Sequence, residues 1–356
     1  MTTTHIIVYA GHGASHSWTW LADLFESKGV FNVRFLDSAE FVRALEDRPT
    51  IALVTGGDGF AIASSLLGEG FTRLEDFVDS GGLYVGICAG AYLPLPSSVP
   101  PFSEFNLSST KIENIDCNIK PLDNVPPRVA VKYGRCAVVH PVRSEIELRR
   151  GKESLFAPIY GGPVFKEPTS DEVLMRYYSF TPHTEFQFAE LWARQMVIGK
   201  PAAILCRHGD GRLLLLGPHL EHPKYREANS VFLDLLGLKP STAHGISSGA
   251  GDRLLGKVAA DLKVAIVGLE NRSFVVGKKL WDGSRYLELV HAIEKCAGSL
   301  RGSQLLALEG DLRTVRDNLV RMEIGIESDV DGTTELLVQT ARKCVDQHFR
   351  ALAGSR

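Results

Sequence analysis

The 356-residue chain predicts an α/β fold, a mostly parallel sheet with helices on both faces, followed by a helical C-terminal region. Three observations carry this reading. Short runs that are apolar on both faces alternate with helix-periodic segments over roughly the first 90 residues, as strands covered on both sides require. Glycine-rich turns follow several of those runs. All 17 prolines lie at or before Pro240, and beyond it apolar residues recur at three and four.

The elements follow in order. His5-Ile-Ile-Val-Tyr-Ala10 is a strand, and Trp18, Leu21, Leu24 and Phe25 have helical spacing. Val33 to Leu36 reads as a second strand, with Phe41, Val42 and Leu45 on a short helix. Ile51-Ala-Leu-Val-Thr55 is a third strand, ending in Gly56-Gly57-Asp58-Gly59. Phe71, Leu74, Phe77 and Val78 mark a helix, and Leu83-Tyr-Val-Gly-Ile87 closes the series. From 94 to 182 the alternation gives way to a Pro-rich insertion with hairpin-like candidates at Arg128 to Val131, Cys136 to Val139 and Val173 to Tyr178. Ala202 to Cys206 and Arg212 to Leu216, joined through Asp210-Gly211, predict a hairpin. Residues 241–251, small and Gly/Ser-rich, read as a linker between a domain over 1–240 and a helical bundle over 252–356. In that bundle Leu305, Leu308, Leu312, Val315, Leu319 and Met322 define one buried face.

The net charge of −3 argues against general nucleic-acid binding, which needs a basic surface. No apolar run reaches membrane-spanning length, and the first residues lack signal-peptide character. None of the 6 cysteines forms a C-x-x-C pair. The expectation is therefore no metal, no disulfide framework, and a reduced, cytoplasmic protein.

The strongest chemical signal is Gly86-Ile87-Cys88-Ala89-Gly90 after a buried strand. Small flanking residues permit a sharp strand-to-helix turn that pushes Cys88 forward, and a helix N-terminus there would favour its thiolate. A small buried cysteine is the plain alternative. His219-Leu220-Glu221 follows another strand, so both polar side chains point one way and Glu221 can orient the imidazole. His222 is a second candidate base. The amides of Gly57 and Ala89 are candidates for an oxyanion hole, and Gly56 would let a ligand approach the backbone. Tyr160, Gly161 and Gly162 line a pocket or turn a hairpin. Gly11-His12-Gly13 with His16 sits where open sheets bind ligands, or only punctuates a loop. Asp329-Val-Asp-Gly332 reads as a helix start. No phosphate-binding motif is complete, so no nucleotide cofactor is expected.

Together the Cys88 elbow, His219 with Glu221, and Gly56-Gly57 resemble class I glutamine amidotransferases over about the first 240 residues. Tyr160-Gly-Gly-Pro-Val-Phe165 and Gly217-Pro-His-Leu-Glu221 look most like the N-terminal domain of biotin-protein ligases and its stand-alone relatives. The resemblance implies a flavodoxin-like sheet, with Cys88 as nucleophile, His219 as base and Glu221 as its partner. Tyr92 stands where amidotransferases usually carry a glutamine that helps hold substrate, the interval from Cys88 to His219 is long, and no ligase-type adenylate loop is found in 252–356. The expected activity is that of a thiol-dependent amidase or glutamine amidotransferase-like hydrolase acting on a small amide-containing metabolite. The C-terminal helices are then a surface for a protein partner or for this chain's own first domain. The competing expectation is a non-catalytic metabolite-binding or regulatory module on the same fold. A peptidase or deglycase-like thiol enzyme is disfavoured, because Ala89 occupies the position where those enzymes place histidine.

Overall fold

The computed structural model describes residues 5–119, 125–239, 253–269, 272–296, 303–323 and 329–354. The first stretch folds as β1 (Ile6–Tyr9), α1 (Trp18–Ser27), β2 (Val33–Leu36), α2 (Ser38–Ala44), β3 (Ile51–Val54), α3 (Gly59–Leu66), α4 (Glu69–Asp79), β4 (Leu83–Ile87) and a short α5 (Ala89–Tyr92). β1, β3 and β4 are buried along their whole length, which is why they read as unbroken apolar runs. Each such side chain contributes roughly 1.5–3 kcal/mol on burial. The insertion supplies β5 (Ile115–Asp116), β6 (Ala130–Tyr133), β7 (Cys136–Val139), β8 (Val142–Arg150), β9 (Glu153–Ile159) and the long β10 (Glu172–Phe186). Then come α6 (Glu190–Val197), β11 (Pro201–His208), β12 (Gly211–Leu216) and α7 (Arg226–Leu235).

The main sheet has 9 strands in the order β2-β1-β3-β4-β12-β11-β10-β8-β9. The first five run parallel, with registers such as Ile6 opposite Ile51 and Leu216 opposite Ile87. Counting only parallel strands, this is the flavodoxin-like order 2-1-3-4-5, in which ligands bind at the carboxyl ends near the β1/β3 switch point. The expected hairpin joins β11 to β12, with His208 opposite Gly211. The insertion then extends that edge with antiparallel strands.

One expectation is overturned within the insertion. β5, β6 and β7 form a separate small sheet, and its register puts Asp116 opposite Ala137. The next residues along, Cys117 and Cys136, therefore face each other and are joined in a disulfide. Nothing in their spacing announced this pairing. Cys88, Cys206, Cys296 and Cys344 are free and buried.

The C-terminal region forms α8 (Arg253–Val267), β13 (Ser273–Val276), β14 (Lys279–Asp282), α9 (Gly283–Cys296), α10 (Ser303–Glu323) and α11 (Val330–Gly354). The helices agree with the periodicity. The β13–β14 hairpin breaks the all-helical expectation, and Phe274-Val-Val276 before Gly277 was a legible strand signal. The helical start at Asp329 is as read, with its carboxylate accepting from the Gly332 N–H at 2.8 Å. The Gly/Ser-rich stretch 241–251 lies outside the described residues. The region packs on its own chain: α11 covers the edge strand β2, with the Phe35 and Phe349 ring centres 5.2 Å apart. The hairpin tip docks where β3 ends, the Lys278 N–H donating to Asp58 Oδ2 at 2.6 Å. Among the described residues no helix is long and apolar enough to cross a membrane.

Candidate active site

Four turns meet beyond the carboxyl ends of the parallel strands. The turn after β1 brings His16 and Ser17, that after β3 brings Gly56 and Gly57, that after β4 brings Cys88, and that after β12 brings His219 and Glu221. Cys88 sits at φ 54°, ψ −107°, a left-handed conformation that L residues rarely adopt. The flanking glycines make it possible. A Cβ on Gly86 would lie 2.5 Å from the Gly90 carbonyl oxygen, and one on Gly90 would lie 2.1 Å from the Val54 carbonyl oxygen. The Cys88 N–H is held by the Leu216 carbonyl at 2.9 Å, which ties the elbow to β12.

His219 is 2% exposed and Glu221 0%. The imidazole Nδ1 lies 2.7 Å from Glu221 Oε1, so it carries the proton and Nε2 is left for Cys88. The ring is wedged against Trp20 and Tyr160, each with ring centres at 5.5 Å. Gly56 is needed here for room, since a Cβ would approach His219 Cε1 to 2.9 Å. Burial pushes the Cys88 thiol pKa up, but a hydrogen bond to His219, the His219 charge and Lys279 together bring it below its ordinary value. Burial pulls His219 down, but the Glu221 charge and the Cys88 hydrogen bond and charge outweigh it and raise the imidazole. Both shifts run toward a thiolate beside an imidazolium. α5 spans only 4 residues, so the helix field expected at Cys88 is replaced by side-chain charge.

The pair opens into a polar chamber of about 340 Å³. Its walls include His16, Trp20, Arg143, Tyr160, His222, Lys279, Arg285 and Glu288. A second, apolar chamber of about 230 Å³ adjoins it, lined by Phe60, Tyr92, Leu95, Phe102 and Ile112 among others. Gly57, His140 and Lys279 border both. Neither the Gly57 nor the Ala89 N–H is taken up by a turn or loop hydrogen bond among the described residues.

The structure thus gathers Cys88, His219, Glu221, Gly56, Gly57, Ala89, Tyr92, Tyr160 and Gly161 around one place. Tyr92 is spent on the wall, donating to the Gly161 carbonyl at 3.1 Å and accepting from Asn114 Nδ2 at 2.9 Å. Gly162 lines neither chamber; its Cβ position falls 1.9 Å from the Gly217 carbonyl oxygen, so it serves close packing. His222 packs against Trp20 with the rings tilted and their centres 4.4 Å apart, and burial and the neighbouring His219 lower it to about 4. His16 is buried in the polar wall, whereas His12 points outward to Glu335 at 3.4 Å. Sequence reasoning missed His140, Arg143, Lys279 and Arg285. The first two lie on an insertion with no motif, and the last two arrive from the region read as a plain bundle.

The family described as biotin-protein ligase, N terminal, matches residues 4–104, the stretch that carries the first parallel strands and the elbow. No curated protein matches the chain. Among solved structures, a glutamine amidotransferase is similar at 17% identity and TM-score 0.41, over 65% of this chain and 99% of that one. Gan42B, a GH42 β-galactosidase, is similar at 12% identity and TM-score 0.39, over 67% of this chain and 30% of that one. A β-galactosidase from Bacillus circulans sp. alkalophilus follows at 14% identity and TM-score 0.38, over 67% and 32%. The chain thus spans about a third of the galactosidases' length, and likenesses with TM-scores this low assign neither activity nor substrate. Over residues 4–104 the chain is thus similar to the biotin-protein ligase N-terminal family.

Proposed function

We infer that this chain is a thiol-dependent amidase or amidotransferase-like hydrolase. The observation that supports it most is the buried His219–Glu221 pair, Nδ1 2.7 Å from the carboxylate, with His219 lining one chamber with Cys88, whose thiol pKa it lowers. Cys88 thiolate attacks an amide carbonyl, and the Gly57 and Ala89 amides stabilise the oxygen as it gains charge. His219 delivers its proton to the leaving amine. A water then gives a proton back to His219 and cleaves the thioester. Glu221 keeps the imidazole in one tautomer and stabilises its charge.

The reading is tested by incubation with an electrophilic glutamine analogue and mass spectrometry of the digest. Expected is one adduct on Cys88, absent in Cys88→Ala. Labelling elsewhere, with hydrolysis unchanged in Cys88→Ala, overturns it. A non-catalytic binding module is favoured by one observation, the Tyr92 hydroxyl fixed in the wall where amidotransferases hold glutamine. That reading requires Cys88 to alkylate no faster than an ordinary thiol below about pH 8.

A further inference from the structure

The two chambers share Gly57, His140 and Lys279 and differ in character: the one that Cys88 lines is polar, and the other is mainly apolar, although Lys111, Lys166 and Lys278 also border it. Arg143, Lys279 and Arg285 converge on the polar one, and none of them forms a salt bridge among the described residues. Arg143 donates to the Tyr160 carbonyl at 2.8 Å, and Arg285 to the Leu280 carbonyl. Three carboxylates share that chamber, but each is engaged by neutral donors. Glu185 accepts from Ser144 at 2.7 Å, Asp282 from Ser284 at 2.5 Å, and Glu288 from the Trp20 indole at 2.6 Å. Burial lowers the pKa of all three cations although Glu185, Asp58, Asp282 and Glu288 stand near them, and an anionic ligand offsets that cost. A second observation also points to a ligand. His140, 6% exposed, borders both chambers, and its Nδ1 has no hydrogen-bond partner. The apolar chamber of about 230 Å³ holds roughly seven or eight groups of water or methylene size.

Resting on the hydrolase reading above, we propose that the substrate is an N-acylated amino acid, with its medium-chain or aromatic acyl group in the Phe60/Phe102 chamber and its carboxylate against Lys279 and Arg285. Orientation follows from the proton. The leaving nitrogen must lie on the His219 side, and His219 stands by the polar chamber. The amine product therefore carries the carboxylate, and the acyl group stays on sulfur. Cys88 Sγ bonds to the carbonyl carbon, the carbon–nitrogen bond breaks with its electron pair going to nitrogen, and His219 supplies that nitrogen's proton. Water then replaces sulfur, its proton going to His219. A free carboxylic acid and a free amino acid result.

The test uses the full chain. Binding of N-octanoylglycine, N-octanoylglycinamide and N-acetylglycine to Cys88→Ser is measured by calorimetry, and their hydrolysis by wild type is followed by amine release. Expected are binding and turnover of N-octanoylglycine, with at least tenfold losses of affinity and kcat/KM for the uncharged and the short-chain analogues. Lys279→Met should raise KM for N-octanoylglycine about tenfold and leave N-octanoylglycinamide unaffected. Equal affinity for all three compounds overturns the proposal, as does an unchanged KM in a Lys279→Met protein that melts like wild type. Cys88 labelled by the glutamine analogue while only glutamine is hydrolysed removes the acyl-amino-acid assignment but leaves the hydrolase standing. An unreactive Cys88 and no hydrolysis of any amide remove both.

Discussion

At the scale of single residues, the proposed chemistry depends on one carboxylate that touches no ligand-facing surface. Glu221 is fully buried, and only Oε1 is used, on His219 Nδ1. Its charge raises His219, and His219 in turn lowers Cys88. The sign follows directly. A thiolate–imidazolium pair would be populated above the depressed thiol pKa and below the elevated imidazole pKa, so the proposal expects fast alkylation well below the ordinary thiol range of about 8.5. In Glu221→Gln the pair loses its support from both ends. Iodoacetamide reactivity at pH 7 should fall about tenfold, with the midpoint of the pH–rate curve moving up and the rate recovering in alkali. An unmoved midpoint would show that Glu221 does not set the pair's charge. His219 and Glu221 were legible in the sequence because two-residue spacing after a strand puts them on one side.

Among the elements, the β4–α5 elbow and the β13–β14 hairpin do the positioning. The elbow holds Cys88 at φ 54°, which costs on the order of 1–3 kcal/mol. Glycine is free of that strain, so Cys88→Gly should be about 1 kcal/mol more stable than Cys88→Ala in urea unfolding, although glycine is ordinarily the worse residue. Equal stabilities would mean the turn is relaxed. The elbow was legible in its small flanking residues, of which Gly86 is required by the nearby Gly90 carbonyl and Gly90 by the Val54 carbonyl on the neighbouring strand. The hairpin's role was not. Lys279 reaches the chamber where the Lys278 N–H meets Asp58, 220 residues earlier, and Asp58 also caps α3.

For the molecule as a whole, the C-terminal region completes the sheet's edge. Asp346 on α11 accepts the Phe35 backbone N–H of the edge strand at 3.0 Å and the Arg34 guanidinium at 2.7 Å. Arg342 reaches Glu40 at 2.7 Å and Asp37 at 3.3 Å, the two residues that form the capping box of α2. An open edge of unpaired amides is thereby covered. Asp346→Ala leaves a buried N–H and a guanidinium without their acceptor and should cost about 3 kcal/mol, read as a lower urea midpoint with little change in Cys88 alkylation without denaturant. No shift in the midpoint would mean the C-terminal helices stabilise the sheet by apolar packing alone.

The sequence by itself determined the parallel αβ core, the elbow, the histidine–carboxylate pair and the helical periodicity near the end. Each of these is written in residue spacing and composition within a short stretch. The tertiary structure alone decided the cross-strand disulfide of Cys117 and Cys136, the cations in the chamber and the partition into polar and apolar halves. Those depend on register and docking between segments far apart in the chain. Such juxtapositions are set by the summed packing of the whole fold and leave no periodic trace in any one stretch.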